Sequence, residues 1–331
     1  MQNEIKNLLN ISKKQIEQVN DIIIENMQSD IPLIPELAGY LINAGGKRIR
    51  PILVCVSYGL FKDKQTDNDI NHIPLYSACV EFIHTATLLH DDVVDESDLR
   101  RGQKTAHNIW GNQAAVLVGD FLFSRAFQLM VDANNSKATK ILANASTKLA
   151  EGEILQLLTT NNLNTTEDKY IEMISAKTAV LFSASCKIGA LLAGANEQDC
   201  QKLNNYGENL GIAFQMIDDA LDYLQNNNEI DKNIGDDFKE GKITMPLLKV
   251  LQDGNDDEQK FLVRCIKKMQ QNENDLETML SYINKYDAIE YTLNKALKYA
   301  KIAKQSIANF PNNDYKKALI EAVDYAVKRV K

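Results

Sequence analysis

Apolar residues recur at three- and four-residue intervals along almost the whole chain, as in Ile5, Leu8, Leu9, Ile16, Val19 and Ile23. That spacing gathers them on one face of an α-helix. No run alternates apolar and polar positions as a half-buried strand does, and no internal repeat or glycine-rich nucleotide fingerprint is present. The helical pattern breaks at Gly45-Gly46 and in the stretches 62–72, 132–136, 159–168, 226–242, 253–258, 271–274 and 311–314, which are rich in polar residues, glycine or proline. The pattern predicts an all-α chain, a single helical-bundle domain over residues 1–331. The segment 179–195, rich in Ala, Ser and Gly, predicts a central helix that packs closely on its neighbours. The stretch 226–242 is the longest break, and loops of that length inside a compact domain are usually functional or disordered.

Composition narrows the picture. With 44% hydrophobic residues in 331, the chain has ample material for a core. A net charge of −8 disfavours nonspecific nucleic-acid binding, so any phosphate site must be a local basic patch in an acidic protein. The five cysteines are scattered without metal-like pairs and predict reduced core residues. With no signal-peptide pattern and no uninterrupted apolar run of about 18 residues, a cytoplasmic location is the expectation.

Two clusters carry the chemistry: Asp91-Asp92-Val93-Val94-Asp95, and Asp218-Asp219-Ala220-Leu221-Asp222, more than a hundred residues later. On a helix the first and last carboxylates of each cluster share a face, about one 5.4 Å turn apart. A solvated acidic helix face is the common fate of one such run. Here both clusters follow largely apolar sequence, so the carboxylates are expected to line a cavity, where they need partners. A hard divalent cation is the usual partner, and Mg²⁺ keeps several waters while bridging one or two carboxylates to substrate phosphates. The spacing does not fit a calcium loop, which alternates its ligands around a central glycine.

The basic groups complete this reading. Gly45-Gly46-Lys47-Arg48-Ile49-Arg50-Pro51 sets cations after a flexible turn, before a helix expected to start with proline at its first position. Lys47 and Arg50 can address one phosphate, helped by the helix N-terminus. Arg100-Arg101-Gly102 brings two guanidiniums suited to bidentate phosphate contact. Lys177 and Thr178 open the small-residue helix, Lys232 and Lys242 flank an acidic loop, and His84 lies two turns upstream of Asp91 on the same helix face. Taken singly, each is as readily a surface charge or, for His84, a core residue.

Together with Val118-Gly119-Asp120-Phe121-Leu122, the blocks 45–51, 84–102, 177–179, 214–223 and 235–242 stand in a familiar order. Through them the chain resembles the trans-prenyl diphosphate synthases over essentially its whole length, most closely the long-chain bacterial octaprenyl diphosphate synthases. One departure is Asp231, where a glycine is common before Lys232. The resemblance implies the all-helical isoprenoid synthase fold, a central cavity, a homodimer and several Mg²⁺ ions per site, with Mn²⁺ as the alternative. It implies Asp91, Asp95 and Asp218 as metal ligands, with Asp92, Asp219 and Asp222 in direct or water-mediated support. Lys47, Arg50, His84 and Arg101 would hold isopentenyl diphosphate. Arg100, Lys177, Lys232 and Lys242 would hold the allylic diphosphate, and Thr178 and Gln215 would stand beside the reacting carbons. Membrane contact would be transient at most, on product release.

A growing tail must run from the metals along the helix carrying Asp91, past Ala86 and Thr87 one turn upstream. Both are small where short-chain relatives tend to carry aromatic floors, so the expectation is a long, octaprenyl-like product for a quinone side chain, grown from farnesyl diphosphate. Phe123, Phe127 and Met130 form an i, i+4, i+7 stripe on a later helix and Leu142 lies on the next. Met130 and Leu142 are the preferred floor, with a plain core role standing beside it for all four. The alternatives within the family are a farnesyl or geranylgeranyl synthase, or one subunit of a heteromeric enzyme; the latter predicts erosion of a motif, and both are intact. A histidine–aspartate metal phosphohydrolase would need histidine ligands, and none of the four histidines lies near Asp218. A terpene cyclase would have no use for the Lys47/Arg50 pocket.

Overall fold

The computed structural model describes residues 5–43, 45–61, 72–224 and 234–329, so Lys232 and Asp231 lie outside the described residues. As expected, it is almost entirely helical. The amphipathic α1 (Lys6–Asn26) buries Leu8, Val19 and Ile23, and α2 (Leu33–Asn43) follows. Helix α3 (Ile49–Gly59) is buried from Pro51 onward. Its start corrects one expectation: Pro51 is the third helical residue, still inside the first turn, where a missing N–H costs no intrahelical bond.

The 23-residue α4 (His72–Val94) is apolar on most sides, and only its last turns, bearing Asp91, reach solvent. A two-residue hairpin, β1 (Leu99–Arg100) with β2 (Gln103–Lys104), follows. Short α5 (Ala106–Trp110) leads into α6 (Asn112–Asp132) and α7 (Ser136–Thr159). Then α8 (Glu167–Ile174) runs through a π-helical turn, Ser175–Ala179, into α9 (Val180–Leu192), the expected small-residue helix. The long α10 (Glu197–Leu221) carries the second cluster. The expected loop 226–242 contains a one-turn helix among its described residues, α11 (Asp236–Lys239), begun by Gly235 at φ 73°. Helices α12 (Met245–Asp253), α13 (Asp256–Leu262), α14 (Asp275–Lys285), α15 (Ala288–Ser306) and α16 (Asp314–Lys328) complete the chain.

Two apolar cores share α10: Leu210 and Ala213 face one, Ile212 and Met216 the other. Close approach explains the small residues. A Cβ on Gly207 would lie 2.5 Å from the Phe182 carbonyl, and one on Gly211 2.5 Å from Ala179 Cα, so α10 meets α9 and the π turn at backbone distance. All five cysteines are buried and free. The stretches Asn112–Asp132 and Glu167–Leu192 are long and apolar enough to cross a membrane by composition; 67% of the second is buried in the core, but only 39% of the first. Helix α6 therefore shows an apolar face to the outside, including Leu117 and Val131.

Candidate active site

The last two turns of α4 place Asp91, Asp92 and Asp95 where the helix leaves the core. Each meets a cation from elsewhere in the chain. Arg100, on β1, clamps Asp92 Oδ1 with Nε at 2.7 Å and Nη2 at 2.6 Å. Lys177 lies 3.6 Å from Asp91 and 2.5 Å from Glu153 of α7. Lys242 donates to Asp95 at 2.8 Å and pairs with Glu240 at 2.5 Å. On α10, Asp218 pairs at 2.6 Å with Arg329, just past α16, whose guanidinium stacks 4.5 Å from the Phe214 ring centre.

The second cluster joins the first through the π turn. Thr178 donates to Gln215 Oε1 at 2.8 Å, Gln215 Nε2 to Asp219 Oδ1 at 2.8 Å, and Tyr170 Oη to Asp219 Oδ2 at 2.5 Å. Asp222 accepts from the Asp237 N–H at 3.1 Å and so anchors α11. Gly152 lets α7 approach the π turn: a Cβ there would stand 2.5 Å from Lys177 N. Tight backbone contact thus fixes the root of the lysine.

A second basic region opens beside α4, a small cleft whose lining includes Arg48, Glu81, His84, Arg100, Arg101 and Lys104. Arg50, half-buried, donates to His84 Nε2 at 3.1 Å and stacks on Phe182 at 4.5 Å. Arg48 pairs with Glu81 at 2.7 Å. Arg48 (φ 49°) and Arg101 (φ 54°) both adopt the left-handed conformation rare for non-glycine residues; for Arg101 followed by Gly102 at φ 72° it is the two-residue hairpin turn that permits it. Lys47 turns to Tyr325, donating to its hydroxyl with the ammonium 4.8 Å from the ring centre.

Burial dominates the electrostatics. It pushes the Asp219 carboxyl up to about 7, reinforced by nearby Asp237, and Glu153 likewise to about 7. Asp92 is also raised by burial, against the pull of Arg100. Burial lowers Arg50 to about 10 and, with neighbouring guanidiniums, holds His84 well below its ordinary value. Lys242 goes the other way: despite burial, Asp95, Asp237 and Glu240 hold its ammonium above the usual range.

The donor set suits a hard cation. Asp92 Oδ2 is buried without a hydrogen-bond partner among the described residues, and Asp91 and Asp95 stand one turn apart on the same rim. Among the described residues no three His, Cys, Asp or Glu side chains converge to hold an ion alone. Each rim instead offers carboxylates of the kind Mg²⁺ bridges to phosphate while keeping its waters.

Most residues expected at the site come together, with three qualifications. Lys232 is outside the described residues. The stripe on α6 divides, with Met130 buried, Phe123 half-buried and Phe127 43% exposed, its ring 5.5 Å from that of Phe123. Leu142 and Ala86 are fully buried, while Thr87, half-buried, bonds back to the His84 carbonyl. Sequence reasoning missed Glu153, Tyr170 and Arg329.

Comparison with known proteins agrees with this geometry. The polyprenyl synthetase family model matches residues 31–283. The chain is 40% identical over 325 residues to the octaprenyl diphosphate synthase of Haemophilus influenzae, covering 98% of this chain and 97% of that one. Among solved structures, a Caulobacter crescentus polyprenyl synthase complexed with calcium and isoprenyl diphosphate superposes with a TM-score of 0.93 at 47% identity, covering 98% and 97% of the two chains. A Rhodobacter capsulatus decaprenyl diphosphate synthase does so with 0.93 at 44% identity, covering 99% of each. The chain belongs to the polyprenyl synthetase family and is a prenyltransferase, a trans-prenyl diphosphate synthase.

Proposed function

We propose that the enzyme makes a long, octaprenyl-like chain for a quinone side chain by Mg²⁺-dependent head-to-tail addition of isopentenyl diphosphate to an allylic diphosphate, farnesyl diphosphate serving as primer. The observation that carries the length is Ala86, fully buried one turn above the first aspartate cluster and too small to end a tail there. The similarity to an octaprenyl synthase supports it.

The chemistry follows from charge. Divalent metal on Asp91, Asp95 and Asp218, aided by Asp92, Asp219 and Asp222, would supply positive charge against the departing diphosphate. Lys177, Lys242 and Arg100 would bind the allylic diphosphate oxygens by exchanging their present carboxylates for phosphate, and Lys232 would join them. Arg50, His84, Arg101 and Lys47 would hold isopentenyl diphosphate with its double bond facing the allylic carbon. Thr178 and Gln215 would present oxygen to the cation, whose charge passes to the new chain as its double bond adds; the proton then lost goes to the released diphosphate. The apolar surroundings exclude water, which would otherwise trap the cation.

The protein works in this reading as a homodimer. The supporting observation is that Leu117 and Val131 on α6 and Ile154, Leu157 and Leu158 on α7 lie exposed. The five free, buried cysteines support a reducing, cytoplasmic setting.

The test is incubation with labelled isopentenyl diphosphate, farnesyl diphosphate and Mg²⁺, then chromatography of the dephosphorylated products. A ladder ending at the octaprenyl length is expected, and Ala86→Phe should end it at a shorter chain. A wild-type stop at farnesyl or geranylgeranyl refutes the length, and an unchanged ladder in Ala86→Phe refutes the path of the tail.

A further inference from the structure

The loop that carries Lys47 is tied to α4 at two neighbouring points. Arg48, the last residue before α3, turns its guanidinium to Glu81: Nη1 donates to the carboxylate at 2.7 Å, and Nη2 donates to the Ile42 carbonyl at 3.1 Å. Three residues further along the same face of α4, His84 holds Arg50. Glu81 is only 5% exposed, so the pair does not lie on the open surface. The backbone of Arg48 is left-handed, at φ 49°, while its carbonyl accepts the first bond of α3 from Ile52 N at 2.9 Å. A residue with a side chain leaves that conformation unless its surroundings hold it there. The Arg48 side chain caps no N–H of α3, and its grip on α4 is the tether. A Cβ on Gly46 would stand 3.2 Å from Arg48 Nη1 and 3.3 Å from Arg101 Nη1, so two guanidiniums crowd one glycine. Glu81 is the carboxylate that favours both charges there.

We infer that Glu81 is a positioning residue for isopentenyl diphosphate: by gripping Arg48 it holds residue 48 left-handed, and that turn sets where Lys47 stands relative to Arg50. The inference rests on the proposed placement of Lys47 and Arg50 at that diphosphate. Neither Glu81 nor Arg48 touches substrate in this scheme. Lys47 reaches Tyr325 at its far end, whereas its root follows the backbone of residue 48. Without the grip, residue 48 relaxes and the competent loop becomes a minor population, so the apparent affinity for isopentenyl diphosphate falls by the same factor. Saturating substrate draws the loop back and leaves kcat near its wild-type value. The allylic site, built on Lys177, Lys242 and Arg100, makes no use of residue 48.

The experiment measures kcat, both KM values and the thermal midpoint in the full chain for Glu81→Leu, alone and combined with Arg48→Gly or Arg48→Ala. Glu81→Leu should raise the KM for isopentenyl diphosphate about tenfold, with kcat and the allylic KM within about twofold of wild type. Both double variants remove the ion pair without leaving an unpaired charge, and they differ by one methyl group at position 48. Glycine enters the left-handed region freely. Adding Arg48→Gly should therefore restore the KM to within about twofold of wild type, and adding Arg48→Ala should not. Equal KM values in the two double variants overturn the inference, as does a change carried in kcat or in the allylic KM. A thermal midpoint that falls while every KM stays at wild type overturns it too and leaves a purely structural ion pair. Lys47→Met reports separately on the placement: an unchanged KM for isopentenyl diphosphate shows that the placement has failed, and the inference falls with it. A raised KM in Lys47→Met beside equal double variants sinks the inference alone. If Glu81→Leu by itself does not fold, the two double variants carry the test.

Discussion

The contact between Arg50 and His84 makes a quantitative claim about pH. Arg50 Nη1 donates to His84 Nε2 at 3.1 Å, and an imidazolium has no lone pair with which to accept that bond. Burial and four surrounding arginines, Arg50, Arg100, Arg101 and Arg48, push the histidine the same way, well below its ordinary value. His84 is therefore neutral when folded, with its proton on Nδ1. In the unfolded chain it titrates near 6.5. Below that pH the unfolded state takes up a proton that the folded state refuses, so this group stabilises the protein fully above 6.5 and progressively less as the pH falls. Integrated from pH 7.5 to 5.5, the loss is about 1.4 kcal/mol for a site that stays neutral in the folded state.

The total stability will not show this directly, because Asp219 and Glu153 act in the opposite sense. Their carboxyls are raised by burial to about 7, so they take up protons in the folded state first, and their contribution grows as the pH falls and is lost as it rises through 7. The observable is the difference between wild type and His84→Gln, whose Oε1 can accept from Arg50 but does not titrate. Urea unfolding of both proteins at constant ionic strength should show wild type losing about 1.4 kcal/mol relative to the variant between pH 7.5 and 5.5. A difference independent of pH, or one that moves in favour of wild type on acidification, would show that His84 is charged in the folded protein and that the Arg50 contact has been misread.

Two further perturbations probe other contacts. Gly152→Ala places a methyl group 2.5 Å from Lys177 N and 2.8 Å from Ala176 C; it should destabilise the fold by about 1–3 kcal/mol and raise the KM for the allylic diphosphate more than that for isopentenyl diphosphate, while equal KM values would separate the lysine from the close approach beneath it. Leu117→Glu combined with Val131→Glu, at positions 66% and 72% exposed, should convert a dimer to monomer in light scattering with the helical circular dichroism intact, and a dimer unchanged in this double variant would place the interface elsewhere.

The sequence carried the helices and both aspartate clusters because each is a local property: a period of 3.6, or a spacing of four, needs no knowledge of distant residues. What it could not carry was the pairing. Lys242 and Asp95 are 147 positions apart, and nothing in either neighbourhood names the other. Arg329 sits just past a final helix whose only visible pattern is amphipathic, so its pairing with Asp218 arises from how α16 packs against α10. Glu153 and Tyr170 were hidden for another reason. A tyrosine on an apolar helix face, or a glutamate in a mixed helix, has an ordinary explanation that is usually correct, and only the geometry of a partner turns it into part of a site. The displaced start of α3 and the divided α6 stripe are errors of a turn or less, and are settled by which side of a helix meets a neighbour rather than by composition.

Those long-range pairs explain how so many charges share one pocket. Asp91 with Lys177, Asp92 with Arg100, Asp95 with Lys242 and Asp218 with Arg329 each match a carboxylate to a cation. Asp92 is buried and the other carboxylates half-buried, where a lone charge is costlier than on the open surface and a paired one is tolerable. In the proposed chemistry the carboxylates turn to metal and the cations to phosphate, so a metal–diphosphate complex gives both members of a pair a new partner in one event. Metal alone would satisfy the carboxylates and leave the cations beside it unpaired, and diphosphate alone would do the reverse. The paired arrangement therefore favours joint binding over either component separately, and it links two clusters more than a hundred residues apart to a single ligand.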